Sequence, residues 1–355
     1  EAKAAWKTFF KISARKQILL RTRSESRMEN AGILKTKYSN KFIVIKMRYV
    51  YKKKAISCGV IVIALIIILN PKMNARRNYE YMTKNIILAH LHEEVSVNFT
   101  SSATTDCNYW ETIEDDTTIS ISLIDGDLIE GHRIKEGGEY APQDCKPKFS
   151  TAIIVPYRDK PEQLRGFLVY MHIILRRQKI HYRIFVIEQE DQQPFNRAKL
   201  FNVGAVAAMK AGYPCLVLHD IDLLPLRPSN IYACTEQPRH MSASINQFRF
   251  LLPSLNFLYG VIAIVSKQYK DVNGMSNKYF GWSGEYDDFY SRLEAYNMKV
   301  CRFEPATSRY HMFMHKQRLY RLENSKLSTD GLKNMKYTEV ATVLHPLFTH
   351  IVVEL

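Results

Sequence analysis

Between residues 150 and 220 the chain alternates short apolar runs with longer amphipathic stretches, and this pattern limits the fold more than any other feature. The run Ala152-Ile153-Ile154-Val155, apolar at every position, is typical of a strand buried on both faces. The predicted order is a strand at 152–155, a helix at 161–178, a strand at 182–187, a helix at 196–211 and a strand at 215–218. This βαβαβ order predicts the nucleotide-binding half of a doubly wound α/β fold.

Two carboxylates, Asp220 and Asp222, directly follow the third predicted strand. Ligands of open α/β sheets bind beyond the carboxyl ends of the strands, so these side chains lie where a site is expected. Carboxylate oxygens suit Mg²⁺ or Mn²⁺, and such a cation could hold a diphosphate there. A solvated surface turn is the alternative for an isolated Asp-x-Asp, so the motifs downstream must decide between the two interpretations.

The chain's excess of positive charge lies almost entirely at its N-terminus. Residues 1–54 hold 16 Lys and Arg against 3 Asp and Glu, whereas the other 301 residues hold 34 against 32. A nearly neutral remainder argues against a nucleic-acid partner. Residues 55–69 carry no charge and predict an uncleaved transmembrane signal anchor, with a cleaved signal peptide as the alternative. Because more Lys and Arg precede this run than follow it, we expect the N-terminus in the cytosol and the bulk of the chain in the lumen.

Six cysteines are consistent with an oxidising lumen. Cys58 lies in the apolar run and is expected to be unpaired, and Cys301 is expected to fill space in the interior. Asn98-Phe99-Thr100 is an N-glycosylation sequon, as a luminal segment would carry.

Five ordered motifs give the chain a family resemblance. They are Gly138 to Cys145, Phe195 to Leu200, Gln237 to His240, Phe280 to Asp288 and His311 to His315, in addition to the Asp-x-Asp. Together they resemble the β-1,4-galactosyltransferases, which are inverting enzymes that use UDP-sugars, over a stretch from about Gly137 to the C-terminus. The resemblance implies a GT-A architecture, a Mn²⁺ cofactor and the disulfides Cys107–Cys145 and Cys215–Cys234.

With this resemblance the chain divides into four predicted segments. They are a basic cytosolic tail at 1–54, in which Met47 is a possible true start, a signal anchor at 55–69, a luminal stem and lead-in at 70–136 and a glycosyltransferase catalytic domain at 137–355. The implied location is the Golgi membrane, as a single-pass type II protein with a luminal catalytic domain.

The resemblance also assigns the donor and metal sites. The residues expected to bind the nucleotide sugar are Pro156, Tyr157, Arg158, Phe195, Arg197, Asp220, Asp222 and Trp282. Asp222, Met312 and His315 are the implied metal ligands, and Asp220 would position Asp222 or contact the ribose. Trp282 lies between small residues, so we expect a mobile ring that stacks on a sugar and excludes water.

The acceptor side departs from the family pattern. Gly284, Glu285, Asp287, Phe257 and Arg318 match acceptor-binding positions, but Tyr286 stands where the family has its catalytic base. A phenol titrates near pH 10 and is a poor base at luminal pH. Either Glu285 or Asp287 takes over, or the protein is a slow enzyme or an inactive glycan-binding derivative.

The acceptor itself is predicted less directly. Phe257 retains the bulk of the tyrosine that galactose users carry, which favours UDP-galactose over UDP-N-acetylgalactosamine. The motifs at 138–145 and 237–240 and the cysteine pairs favour terminal N-acetylglucosamine on glycoprotein or glycolipid glycans. Asn273-Gly274-Met275-Ser276-Asn277 favours the alternative branch, which galactosylates xylose.

Overall fold

The computed structural model describes residues 51–66, 79–125, 134–281, 284–313 and 329–355 of the chain. They belong to two compact units, Glu1–Asn70 and Pro71–Leu355. In the first unit, residues 51–66 form one helix whose side chains, including that of Cys58, are exposed. None of the described helices is both long and apolar enough to cross a membrane. The predicted anchor extends past residue 66 into positions outside the described ranges, and it stays a prediction.

The second unit combines helices with a mostly buried sheet. The helices are α1 (Lys84–His90), α2 (Trp110–Glu114), α3 (Pro161–Arg177), α4 (Arg197–Lys210), α5 (Ser266–Asp271) and α6 (Glu285–Ala295). The strands are β1 (Glu139–Tyr140), β2 (Ser150–Tyr157), β3 (His181–Gln189), β4 (Cys215–His219), β5 (Leu223–Pro225), β6 (Arg239–His240), β7 (Ser244–Ile245), β8 (Val261–Val265), β9 (Arg309–Met312), β10 (Thr338–Leu344) and β11 (Thr349–Glu354).

The main sheet is doubly wound, as the sequence predicts. Its strand order is β10-β11-β3-β2-β4-β8-β6, and β1 pairs with β3. Strands β11, β3, β2 and β4 run parallel to one another, and β8 runs antiparallel to β4. Because α3 leads to β3 on one side of β2 and α4 leads to β4 on the other, the winding reverses at β2. That reversal opens a crevice at the carboxyl ends of β2 and β4.

Each face of the sheet has its own core. Ile153 on β2 packs with Phe167 of α3, whereas its neighbour Ile154 packs with Phe201 of α4 on the other face. This alternation is why the strand is apolar at every position. Helix α4 lies so near the sheet that a Cβ at Gly204 would come within 2.3 Å of Ile154 Cγ2. The close contact fixes the distance of α4 from the sheet, and with it the position of the first residue of the helix, Arg197.

Residues 79–125 pack against the first of these cores, although their sequence shows no regular periodicity. Ile87 of α1 and Ile113 of α2 are fully buried there. The hydroxyl of Tyr109 donates to the carbonyl of Lys179 at 3.1 Å. The segment is therefore a packed part of the folded unit up to at least α2.

Both predicted disulfides are confirmed. Cys107–Cys145 ties the segment before α2 to the residues before β2, and Cys215–Cys234 closes a loop around the Asp-x-Asp. Cys301 is free, but it is half-buried and exchanges a hydrogen bond with Thr235 Oγ1 at 3.3 Å, so it is more than an apolar filler.

Candidate active site

The Asp-x-Asp forms a buried turn between β4 and β5. The backbone N–H of Asp220 donates to Gly260 at 3.1 Å, and that of Leu223 donates back to Asp220 at 3.2 Å. These bonds hold the turn against the start of β8, and Asp220 and Asp222 are each only 4% exposed. Such burial argues against the solvated turn that was the alternative interpretation.

Arg197 connects this turn with two helices. It is the first residue of α4, which Asn196 caps by accepting a hydrogen bond from the Lys199 N–H at 2.9 Å. Arg197 Nε lies 3.1 Å from Asp220 Oδ1, and its Nη1 lies 2.9 Å from Glu285 Oε1 on α6. Both ion pairs are buried. The sequence motif predicts a nucleotide contact for Arg197, and the structure adds this second role, which depends on contacts between distant segments.

The charges around Arg197 do not balance. Three carboxylates, those of Asp220, Asp222 and Glu285, lie near the Tyr259 phenol, and Arg197 is the one cation that acts on this phenol with them. We call Asp220, Asp222, Glu285 and Arg197 together the carboxylate cluster. Burial raises the pKa of the Asp220 carboxyl, Arg197 opposes that rise, and the charge of Asp222 adds to it. His219 supplies no compensating charge, because burial lowers its pKa to about 4.

An excess of buried negative charge fits a divalent cation. Strand β9 brings Met312 to this place: Leu223, the residue after Asp222, is paired with Met312, and the Phe313 N–H donates to the Asp222 carbonyl at 3.0 Å. Two of the three implied metal ligands are thus brought close together, Asp222 in the turn before β5 and Met312 at the end of β9, while His315 lies outside the described residues. Within the described ranges there is no group of three or more His, Cys, Asp or Glu side chains that could hold a metal by themselves.

The predicted nucleotide residues gather at the carboxyl end of β2. Pro156 and Tyr157 end the strand, and Tyr157 is 8% exposed. The Arg158 guanidinium donates to the carbonyls of Gln189, Asp191 and Gln193 at 3.2, 3.2 and 2.9 Å. It also lies 5.6 Å from the centre of the Phe195 ring. Arg158 therefore shapes the loop that presents Phe195, and that role could not be predicted from its motif.

The acceptor turn begins at Gly284, whose φ of 90° suits glycine, and continues into the first turn of α6. Three carboxylates lie in that turn, where the helix dipole stabilises negative charge. Glu285 is paired with Arg197, and Asp288 lies 2.7 Å from Arg292 Nε. Asp287 is exposed, and its side chain makes no hydrogen bond or ion pair with the residues that the structure describes.

Tyr286, at the expected base position, is only 5% exposed. Burial, together with the charge of Asp220, raises its pKa well above the usual range, so it cannot accept a proton from an acceptor. Its ring packs at 5.3 Å against Tyr259, which in turn lies 6.0 Å from Phe257. The rings of Phe257, Tyr259 and Tyr286 thus pack in a row beside the carboxylate cluster.

The remaining predicted residues, Trp282, His315 and Arg318, fall outside the described ranges, and their assignments stay predictions. Phe257 lies 6.0 Å from the ring of Tyr259, and Gly284 directly precedes Glu285 of the carboxylate cluster. The structure thus brings the donor, metal and acceptor positions that it describes to one end of the sheet.

Comparisons with known proteins identify the relatives of this chain. The N-terminal region of glycosyl transferase group 7 matches residues 108–235, and the family described as the N-terminal domain of galactosyltransferase matches residues 239–316. β-1,4-galactosyltransferase 2 of Cricetulus griseus is 39% identical over 232 residues, which are 62% of this chain and 63% of that protein. β-1,4-galactosyltransferase 1 of Bos taurus is 37% identical over 255 residues, or 68% of this chain and 63% of that protein.

Solved structures with a similar fold are also known. The catalytic domain of Drosophila β1,4-galactosyltransferase 7 in complex with xylobiose aligns with a TM-score of 0.53 and 28% identity, covering 58% of this chain and 94% of that one. A mutant of the same enzyme is known with manganese, UDP-Gal and xylobiose. The chain belongs to the β-1,4-galactosyltransferase family and has its GT-A-like fold, as the sequence motifs indicate. It spans slightly under two thirds of the length of the curated relatives that it matches.

Proposed function

We propose that this protein is an inverting β-1,4-galactosyltransferase that moves galactose from UDP-galactose to terminal N-acetylglucosamine on glycoprotein or glycolipid glycans. The observation that carries the proposal is the carboxylate cluster at the carboxyl end of β4, beside Met312, in a chain of this family. An anionic diphosphate would enter such a site only with a cation, for which the cluster has the required negative charge.

The proposed cation is Mn²⁺, held by Asp222 in the turn before β5, by Met312 at the end of β9 and by His315. When bound, Mn²⁺ would stabilise the negative charge that develops on the departing diphosphate. Manganese in the structure of the Drosophila enzyme supports this choice. Tyr157 and Phe195, with the loop that Arg158 holds, would bind the uridine.

The proposed base is Asp287. Transfer forms a bond from an acceptor hydroxyl to the anomeric carbon, breaks the bond from that carbon to the diphosphate, and needs a group to take the hydroxyl proton. Glu285 and Asp288 are engaged by arginines at 2.9 and 2.7 Å, and Tyr286 holds its own proton. Asp287 lies one residue beyond the family's base position and has an exposed carboxylate.

Release of UDP from UDP-galactose tests the proposal. The folded unit from Pro71 onward would be incubated with Mn²⁺ and with N-acetylglucosamine, xylose or no acceptor, and UDP-N-acetylgalactosamine would serve as the competing donor. We expect UDP-galactose turnover that depends on N-acetylglucosamine. A preference for xylose would instead support the alternative acceptor. This acceptor is included because the Drosophila enzyme is known in complex with xylobiose.

A second candidate function follows from the burial of Tyr286. A protein that binds UDP-galactose and glycans but releases no UDP with any acceptor would be a non-catalytic glycan-binding derivative. The same assay separates the two functions, provided that binding of UDP is measured in parallel.

We also propose the type II Golgi topology, with the anchor at 55–69 and the stem from residue 70 in the lumen. Asn98 is exposed, so an oligosaccharyltransferase could reach it, although its Nδ2 donates to the Ala211 carbonyl at 3.0 Å. In cells, the wild-type protein should lose the mass of one N-glycan when it is treated with a glycosidase. The variant Asn98→Gln should already lack that mass. If the wild-type protein carries no glycan at this position, the luminal orientation loses this support.

A further inference from the structure

Residues 249–260 lead from the short helical turn Asn246–Phe248 to strand β8, and the structure describes all of them as chain that forms neither helix nor strand. This segment carries the rings of Phe257 and Tyr259, which lie beside the carboxylate cluster. Backbone carbonyls that are kept from water outside regular structure need other partners. The side chains that supply these partners therefore decide where both rings lie.

Arg302 supplies partners for two of the carbonyls. It is 1% exposed, and its Nη2 donates to the carbonyls of Leu255 at 3.0 Å and Phe257 at 2.8 Å. The guanidinium lies 4.5 Å from the centre of the Tyr79 ring, and the Tyr79 hydroxyl donates to the Val300 carbonyl at 2.7 Å. A buried cation is costly unless hydrogen bonds and an aromatic face offset the loss of water. These contacts fix the guanidinium, and through it the backbone at Phe257.

His240, which is fully buried, supplies the partner of a third carbonyl. Burial, to which the charge of Arg302 adds, holds the pKa of His240 well below its usual range, so the ring is neutral and carries one proton. Because Arg302 Nε donates to His240 Nδ1 at 3.2 Å, that proton is on Nε2, which donates to the Tyr259 carbonyl at 3.0 Å. Arg302 and His240, which we call the carbonyl clamp, thus hold the backbone at residues 255, 257 and 259.

We propose that the carbonyl clamp sets the discrimination between donor sugars, because it fixes the rings of Phe257 and Tyr259 against the carboxylate cluster. Arg302 and His240 touch no substrate. They are positioning residues that act through the two rings. The inference rests on the proposed function, since it takes a UDP-sugar as the ligand, and it deepens that function by assigning selectivity to residues outside the site.

The position of the rings favours an effect on the sugar over an effect on the nucleotide. Tyr259 packs at 5.3 Å against Tyr286, and the charge of Asp222, the proposed cation ligand, acts on the Tyr259 phenol. The residues proposed for uridine, Tyr157 and Phe195, lie at the end of β2 and before α4. With the diphosphate at the cation and the uridine at these two residues, the other end of the diphosphate carries the sugar toward the rings.

Selectivity depends on how closely such rings are held. Two sugars that differ by one substituent are separated by the fit of a pocket, which is typically worth about 10–200-fold. A ring that can shift admits the larger sugar and contacts the smaller one less well. General loosening of the fold would instead weaken the binding of every ligand alike, UDP included.

The test measures the Kd of UDP, of UDP-galactose and of two competitors that differ from it at one ring position, UDP-glucose and UDP-N-acetylgalactosamine. Calorimetry would be done on the full chain with Mn²⁺, and selectivity is the Kd of a competitor divided by that of UDP-galactose. The variant Arg302→Met removes the donors to residues 255 and 257. The variant His240→Asn reaches the place of Nδ1 but not that of Nε2, so it loses the bond to the Tyr259 carbonyl.

Two further variants make the test specific to the clamp. His240→Gln places its amide near Nε2 and should restore the bond to the Tyr259 carbonyl, while the Nη2 bonds of Arg302 stay in place. The matched control is His172→Asn. His172 is also fully buried, and its Nδ1 and Nε2 lie 2.8 Å from the Tyr182 hydroxyl and 2.8 Å from the Leu347 carbonyl. Thermal unfolding checks that each variant keeps its fold.

We expect selectivity to fall by about tenfold in Arg302→Met and in His240→Asn, as the loss of a close fit predicts. The Kd of UDP should change less than about threefold, or about 0.6 kcal/mol, in both variants. His240→Gln and His172→Asn should keep the selectivity of the wild type.

Unchanged selectivity in Arg302→Met and His240→Asn would overturn the inference, as would a wild-type protein without selectivity. An equal fall in His172→Asn would also overturn it, since the loss of any buried bond would then have the same effect. If Arg302→Met does not fold, the His240 variants decide: an equal fall in His240→Asn and His240→Gln contradicts the role of the Nε2 bond. Wild-type protein that binds neither UDP nor UDP-galactose refutes the proposed function and the inference with it, whereas normal wild-type binding with unchanged selectivity in the variants removes the inference alone.

Discussion

The donor side and the acceptor side of this site hold their carboxylates in different ways. On the donor side, Asp220 is buried and shares Arg197 of α4 with Glu285, the buried carboxylate of the acceptor turn. On the acceptor side, Asp287 is exposed and makes no ion pair within the described residues. The donor side thus keeps a rigid charged framework, while the acceptor side presents a carboxylate that is available to react.

The difference shows how the site tolerates a tyrosine at the family's base position. Tyr286 packs inward among the donor residues, where Tyr259 and Arg197 contact its ring. The next residue along the helix turn points outward. A shift of one residue in the helix would therefore move the proposed base to Asp287 without disturbing the ion pairs.

The largest effect should come from breaking the donor framework with Arg197→Met. Asp220 and Glu285 would then be buried without their shared partner, which costs about 3–5 kcal/mol of unfolding free energy. Urea denaturation measures the change. The control Lys267→Met breaks an exposed ion pair with Asp271 and should cost less than about 0.5 kcal/mol. If both variants lose the same unfolding free energy, then the buried ion pairs of Arg197 contribute no more to stability than an exposed ion pair does.

A smaller effect is expected from Asp222→Asn, which removes both a charge and a cation ligand. We expect Mn²⁺-dependent binding of UDP to weaken at least about 100-fold, or about 2.7 kcal/mol. His315→Ala removes a neutral ligand and should cost about tenfold. Titration of Mn²⁺ against each variant measures both. If Asp222→Asn binds Mn²⁺ and UDP as tightly as the wild type, then the donor side does not hold the metal in the proposed way.

The smallest effect on turnover should come from Tyr286→Asp, which restores the family's residue. If Asp287 is the base, kcat should change less than about threefold, since the new carboxylate lies among like charges and is not needed. A rise of tenfold or more would show that the acceptor side had lost its base and that Asp287 does not replace it.

The fold could be predicted largely from local pattern. Continuous apolar strands and amphipathic helices are visible in single segments, so β2, α3, β3, α4 and β4 were predicted within a few residues. Residues 79–125 were not predicted to pack on the core, because their buried side chains, such as Ile87 and Ile113, follow no regular period. Contacts that join distant segments, such as Arg197 with Glu285 or Arg158 with Gln193, leave no signal in a single sequence.

Family motifs assign residues to the donor site, but they cannot say which carboxylate replaces the base. That choice depends on burial and pairing. Glu285 and Asp287 are equivalent candidates in sequence, and only the ion pair of Glu285 with Arg197 separates them.

The most direct test of this account measures kcat for galactose transfer and the Kd of UDP-galactose in Asp287→Asn. The variant keeps the size of the side chain and removes its ability to take a proton, and Glu294→Gln, exposed on the same helix, is the control. We predict that kcat falls by about 100-fold or more while Kd changes less than about threefold. An unchanged kcat in Asp287→Asn, with the wild-type enzyme active, would contradict the separation of the donor and acceptor sides.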